Sequence, residues 1–520
     1  MGLALALAAA LVQAVLGSPS GAFWVVTDWH LNNGFNATPP RQDAALASTQ
    51  RQCLTATSVP SLRPGTYGGF GCDSNLALFE ATLEHMVATL PDPDFILWQG
   101  DNFGHVAPPD TEELVLGATQ LLGGMLARAF PGVPVLPAVG NHDTWPYNSD
   151  PGPAFYAKLC GLWSRWLQGG AGAKGGNSSD GAMATCAQGG YFELLLQPGL
   201  RALSLNSQHQ SVEMLAWARG VLETAAAAGE KVYIVTHIPP GPASCYSCAC
   251  GNGFSGGCWG TDAAQTLHDL VVTYADTVVA LFAGHTHSDE FRIFGKNMNA
   301  SSGSFVPLVP MYISNSLPPY NPSTNPAVRS FTYVPAASGS IPGTGADRED
   351  TRSFATLLDF KQWWLDLEAA NRDAASDDPL GPSRYWHSYS ARARYGLPDL
   401  SARSWANLAA RFDTDDDLFQ AYFQASNAFP AIFDNSNMCT DEWSASVYSP
   451  QGGGGRCKSA FICPMLHVLD DDYNACIAAR NATAVDDVDP TRSAASTPSS
   501  LPSSTWTCAS PKQKQGWWPE

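Results

Sequence analysis

Six of the eleven histidines in this 520-residue chain fall in five short segments, each placed after an apolar run. The segments are Asp28-Trp29-His30; Gly100-Asp101-Asn102, with His105 four residues beyond the Asp; Gly140-Asn141-His142-Asp143; His237-Ile238-Pro239-Pro240; and Gly284-His285-Thr286-His287. Imidazole, carboxylate and an amide oxygen suit zinc, iron or manganese, and no cysteine in these segments offers a thiolate. Two metals roughly 3.5–4 Å apart need a carboxylate to bridge them. Asp101 fits that place, because Gly100 before it allows a close approach. An Asp after a strand often serves only as a helix N-cap, so Asp28-X-His30 carries little alone. All five segments together, in this order, carry the metal reading.

Ligands drawn from five places need a scaffold that brings five chain segments to one edge. Phe23–Val26, Phe95–Trp98, Val133–Val139, Val232–Val235 and Val278–Phe282 are nearly continuous apolar runs, which predict strands buried on both faces. Each reactive segment follows one of them, at the carboxyl end, where α/β sheets place their sites. Leu76–Leu90 and Glu112–Phe130 have helical spacing, so residues 18–340 read as a mixed α/β domain. From about Ile341 the pattern changes. Phe360, Trp363, Trp364 and Leu367, then Trp405, Leu408 and Phe412, then Leu418, Phe419, Tyr422 and Phe423 recur at helical spacing. They predict a helical C-terminal region over 341–481 with these aromatics as its core. Residues 482–520, rich in Ser, Thr and Pro at their start, read as a flexible tail.

Hydrophobic residues make up 45% of the chain and charged ones 14%, enough for a large core. The formal charge of -19 repels a phosphate backbone, so a nucleic-acid polymer is not expected as a partner. Residues 1–17 form an uncharged Leu/Ala/Val stretch with Val15 and Gly17 at a cleavage-site spacing. This predicts a secretory signal peptide; an uncleaved anchor is the alternative, though the run is short for a span. No later run approaches membrane-spanning length. Thirteen cysteines and the sequons at Asn36, Asn177, Asn299 and Asn481 agree with a secreted protein or one in a secretory or lysosomal–vacuolar lumen.

The ordered blocks Asp-X-His, Gly-Asp, Gly-Asn-His, His and Gly-His-X-His resemble the calcineurin-like metallophosphoesterase superfamily. More narrowly, the chain resembles the acid sphingomyelinase-like phosphodiesterases. That match rests on Gly100-Asp101-Asn102-Phe103-Gly104-His105, on Thr236-His237-Ile238-Pro239-Pro240-Gly241, on Gly71-Cys72-Asp73-Ser74, and on Tyr320-Asn321 followed by Asn325-Pro326-Ala327-Val328-Arg329. The resemblance implies an α/β class fold, a layered α/β/β/α metallophosphoesterase sandwich, followed by the helical, disulfide-containing C-terminal region. It implies two Zn2+ ions, one held by Asp28, His30 and His287, the other by Asn141, His237 and His285, with Asp101 bridging. It further implies in-line attack on phosphorus by a metal-bound hydroxide, with His142 and His105 stabilising charge and protonating the leaving alkoxide. Purple acid phosphatases carry a ferric-binding Tyr three residues after the bridging Asp. Here that residue is Gly104, so a tyrosinate iron site by that route is excluded.

The family joins the pair corresponding to Cys53 and Cys72. Cys160 and Cys186 bracket a Gly-rich insertion and are expected to pair. Cys245, Cys248, Cys250 and Cys258 crowd one loop after His237, where two local disulfides are favoured over a zinc site in an oxidising compartment. Their place at the substrate entrance makes the loop a candidate lid. Cys439, Cys457, Cys463 and Cys476 form a further set, leaving Cys508 odd. True acid sphingomyelinases add a saposin-like domain before the catalytic one; the strand leading to Asp28 starts too near the leader for it. Small soluble phosphodiesters or nucleotides are therefore expected as substrates, with peripheral lipid contact left open. A sphingomyelin phosphodiesterase, a phosphomonoesterase and an inactive secreted binding protein are the alternatives, and seven intact metal ligands speak against the last.

Overall fold

The computed structural model describes residues 20–32, 65–105, 111–168, 179–242, 259–297, 305–319, 324–335, 354–377, 379–428 and 457–485. The predicted leader, the Cys245–Cys258 loop and the predicted tail beyond residue 485 lie outside these residues.

β1 (Gly21–Val26), β2 (Ile96–Trp98) and β3 (Val135–Pro137) run parallel, with Trp24 beside Ile96 and Ile96 beside Val135. Between them come α1 (Leu76–Thr89) and α2 (Glu112–Ala129). Each starts at a capping side chain: Asn75 Oδ1 accepts from the Leu78 N–H at 2.9 Å, and the Thr111 hydroxyl from the Leu114 N–H at 3.3 Å. α3 (Pro153–Leu162), α4 (Ser164–Leu167) and α5 (Ser179–Gly189) follow, and the expected Cys160–Cys186 disulfide ties α3 to α5.

The second half builds another sheet. β4 (Phe192–Gln197), β5 (Leu200–Leu205), α6 (Val212–Ala228), β6 (Lys231–Thr236), α7 (Thr261–Thr273), β7 (Val278–Ala283), β8 (Glu290–Asn297) and β9 (Phe305–Ile313) succeed one another. Their order in the sheet is β4-β5-β6-β7-β9-β8, with β5, β6, β7 and β9 parallel. β10 (Ala327–Tyr333) then returns to the first sheet and pairs antiparallel with β1.

Alternation across the pleat assigns the apolar runs to two cores. In β6 and β7, Tyr233, Val235, Ala280 and Phe282 point into the core shared by the sheets, while Val232, Ile234, Leu281 and Ala283 pack under α6 and α7. Across the sheets Phe23 meets Phe282 at 5.9 Å, and Phe331 meets Tyr312 at 5.2 Å. The layers are helix, sheet, sheet, helix, as the family resemblance implies.

The C-terminal region departs from its helical reading. Residues carrying Phe360, Trp363 and Trp364 form β11 (Leu357–Leu365), which pairs with β10, Phe331 opposite Phe360. After α8 (Leu367–Ala374), β12 (Trp386–Ser390) adds the outer strand, giving the order β12-β11-β10-β1-β2-β3. The misleading spacing has a physical cause: β11 is covered on both faces. Phe360 lies under the Arg329 guanidinium and near Trp405, while Trp363 meets His85 of α1 on the other side. A strand with two apolar faces loses its period-two signature. Helices resume with α9 (Ala391–Tyr395), α10 (Ala402–Arg411), α11 (Asp416–Ser426), α12 (Cys457–Leu466) and α13 (Asp470–Val485), which runs past the expected boundary at 481. There Trp405, Leu408, Phe419, Tyr422 and Phe423 are buried, as their spacing predicts. Cys463 bonds Cys476, and Cys72 is disulfide-bonded, its expected partner Cys53 lying outside the described residues.

Candidate metal centre

The carboxyl ends of β1, β2 and β3 meet those of β6 and β7 along one edge. Backbone bonds stitch the exit loops together: the Asp28 N–H donates to Gly100 O at 3.0 Å, His30 N–H to Asp101 O at 2.9 Å, and Gly284 N–H to His237 O at 2.9 Å. The chain must bend sharply at each exit. Of the eight non-glycine residues with positive φ among the described residues, five are Asp28, His30, Asp101, His285 and His287. Left-handed backbone at such side chains is costly and persists where surrounding structure imposes it. Gly284 shows how tight the junction is, since a Cβ there would lie 2.5 Å from Asp28 Oδ2 and closer still to the Thr27 hydroxyl.

Hydrogen bonds aim each side chain inward. Asp28 Oδ2 accepts from the Thr27 hydroxyl at 2.6 Å and the His285 N–H at 2.8 Å, leaving Oδ1 buried with no hydrogen-bond partner. His30 Nδ1 donates to Phe103 O at 3.1 Å, and His237 Nδ1 to Gln99 O at 2.8 Å, so both Nε2 atoms face the cleft. His30 Nε2 lies 3.1 Å from His287 Nε2, and Asp28 Oδ1 is 3.6 and 3.3 Å from these two atoms. A second group forms around Asn141, whose Oδ1 lies 3.0 Å from both His237 Nε2 and His285 Nδ1. Asp101 Oδ2 joins the groups, 3.5 Å from His30 Nε2 and 3.0 Å from His237 Nε2, while its Oδ1 accepts from the His142 N–H at 2.8 Å.

All seven expected ligands are thus brought together. His105 and His142 are brought in as well: their rings lie 4.1 and 4.6 Å from that of His30 and 4.5 Å from each other. Imidazole nitrogens, an amide oxygen and carboxylate oxygens crowded together in burial, one of those oxygens without a hydrogen-bond partner, form a set that cations satisfy. Nitrogen and oxygen donors of this type fit two divalent metals sharing Asp101.

Electrostatics agree. Burial raises Asp28, yet the neighbouring His237 and His287 outweigh it and hold the carboxyl well below its usual range; Asp101 is held low against burial by His237 and then His142. Burial lowers His237, but Asp101 and Asp28 carry it up to about 9. For His285 burial, followed by His237, outweighs the same two carboxylates and pushes it down to about 4.

Several residues of the quoted motifs have supporting roles that the sequence alone did not give. Asp73 is buried with Oδ1 2.7 Å from His105 Nδ1, and its Oδ2 accepts the His105 N–H at 2.7 Å. Burial raises Asp73 to about 7; burial, then His287, lowers His105 to about 3. Asp143 takes the N–H groups of Asp101, Asn102 and Gly140, each at 2.8 Å, clamping the β2 and β3 exits together. Its signal was its place in Gly-Asn-His-Asp. Arg329, part of the Asn325–Arg329 motif, pairs with buried Asp289, two residues after His287, and donates to Gln362 Oε1 at 2.7 Å. The motif therefore braces the Gly-His-X-His segment against β11.

The chain is similar to known proteins over most of its length. The chain is 26% identical over 494 residues to the human acid sphingomyelinase-like phosphodiesterase 3b, covering 89% of this chain and 92% of that protein. It is 24% identical over 477 residues to the mouse cyclic GMP-AMP phosphodiesterase SMPDL3A, covering 88% and 92%. To the sphingomyelinase phosphodiesterase C of Dictyostelium discoideum it is 27% identical over 482 residues, covering 88% and 93%. The model of the calcineurin-like phosphoesterase family matches residues 21–289, a span that holds all five reactive segments. This chain belongs to the calcineurin-like phosphoesterase family.

Proposed function

We propose that the chain is a secreted or luminal phosphodiesterase of the acid sphingomyelinase-like type, working with two zinc ions on small phosphodiesters or nucleotide phosphoanhydrides. Asp101 carries the reading: one buried carboxylate oxygen reaches the nitrogens of both ligand groups, at 3.5 and 3.0 Å. Asp28, His30 and His287 would hold one metal, Asn141, His237 and His285 the other, with Asp101 shared. Two such cations supply Lewis acidity toward phosphoryl oxygens and lower the pKa of water.

The protein's own groups do the rest. His142, packed over the His30 ring with its N–H fixed on Asp101, faces the charge that develops on the phosphoryl group. His105 gives its proton to the leaving alkoxide. Burial disfavours its charged form, so the acid form depends on the anionic substrate and on Asp73 at Nδ1. The relatives' names cover a cyclic dinucleotide and sphingomyelin, both of them phosphodiesters. Secretion rests on the leader, the sequons and the disulfides, and among the described residues no helix is long and apolar enough to cross a membrane.

The test is metal analysis beside turnover of bis-p-nitrophenyl phosphate. The wild-type chain should hold about two zinc ions, and Asp101→Asn should lower metal content and nearly abolish turnover. Wild-type activity in that variant would refute the shared-carboxylate reading.

A further inference from the structure

Tyr147 stands just beyond the Asn141–Asp143 turn with 47% of its surface exposed. Its hydroxyl nevertheless reaches buried Asn141, whose Nδ2 donates to it at 3.3 Å. Its ring packs on His142, with centroids 4.5 Å apart. An amide nitrogen can only donate, so the phenol oxygen is the acceptor in this contact and its own proton is uncommitted. Among the described residues no acceptor takes that proton. Asn141 meanwhile turns its Oδ1 to His237 and His285, so one amide links the phenol to the second ligand group.

A phosphoryl group entering this cleft brings acceptors alone, and an O–H bonded to an anionic oxygen is among the stronger hydrogen bonds. We propose that Tyr147 contacts the substrate directly: held by Asn141 and His142, its hydroxyl donates to a non-bridging phosphoryl oxygen. This rests on the reading of Asn141, His237 and His285 as one metal-ligand group of a phosphodiesterase. Tyr147 is then a binding residue beside His142, distinct from the His105–Asp73 pair.

Tyr147→Phe in the full-length, zinc-loaded chain keeps the ring and removes only the O–H. Calorimetric titration with inorganic phosphate should show a Kd raised about tenfold, the scale of a lost hydrogen bond to a charged group. Metal content should stay at the wild-type value, and KM for bis-p-nitrophenyl phosphate should rise with the phosphate Kd. An unchanged phosphate Kd overturns the proposal, as does an absence of phosphate binding by the wild-type chain. Loss of metal from Tyr147→Phe overturns it too, because the hydroxyl would then act on Asn141 instead of the substrate. Should the wild-type chain bind phosphate yet hydrolyse no diester, the phosphodiesterase reading fails by itself, and the Kd comparison still decides the contact.

Discussion

Replacing Asp73 by asparagine isolates the proton chemistry on the leaving-group side of the cleft. Both Asp73 oxygens are spent on His105, one 2.7 Å from Nδ1 and the other accepting the backbone N–H at 2.7 Å. Asparagine keeps the shape but turns an NH2 toward one of two donors and removes the charge that steadies the imidazolium. A hydrogen bond to a charged group contributes about 1.5–3 kcal/mol. At about 1.4 kcal/mol per decade, kcat on a diester with an alkyl leaving group should fall roughly 10–100-fold. The p-nitrophenolate leaving group needs no proton, so bis-p-nitrophenyl phosphate should lose only about threefold or less. The assay is the ratio of kcat on the two substrates for wild type and variant, with zinc measured on the same samples. Equal losses on both substrates at unchanged zinc would refute the assignment of His105 and Asp73 to the leaving group. Loss of zinc would place Asp73 in support of the metals instead.

The metal-free cluster makes a pH prediction. Asp101 and Asp28 hold His237 up to about 9 despite its burial, whereas a metal needs the neutral ring. Below pH ~9 zinc uptake should therefore release about one proton from this group, and affinity should weaken as pH falls; calorimetry in buffers of differing ionisation enthalpy measures the release, and none near neutral pH would contradict the shift. Gly284→Ala forces a Cβ against Thr27 and Asp28 Oδ2, so metal content and thermal midpoint should both drop, and a variant with wild-type zinc would show that the junction yields. Cys463→Ser opens a bridge with a sequence separation of 13 between α12 and α13. It should lower stability to denaturant by about 3 kcal/mol while leaving diester turnover within about twofold, because the bridge lies in the C-terminal helices.

The ligand chemistry was legible in the chain itself because it depends on residue type and local order. Five apolar strands each end in a polar segment, and strand ends are where an α/β sheet can gather distant groups. The burial of β6 and β7 on both faces was likewise written in their continuous apolar runs, whereas the second sheet came only from the family resemblance. Periodicity failed at β11, where burial on both faces erased the difference between a strand and a helix. Only packing against α1 and Trp405 reveals which it is.

The pairings that tune the site were invisible for a related reason. Nothing near Asp73 marks it as the partner of His105, 32 positions away, and nothing near Asp28 shows that it will accept the His285 N–H from 257 positions away. Tyr147 looks like any loop tyrosine until its hydroxyl is found on Asn141. Residue type and order along the chain determined which atoms could bind metal. The meeting of separate strand ends decided which of those atoms share a carboxylate and which histidine receives a buried charge, because hydrogen bonds and Coulomb forces act over ångströms and take no account of chain distance.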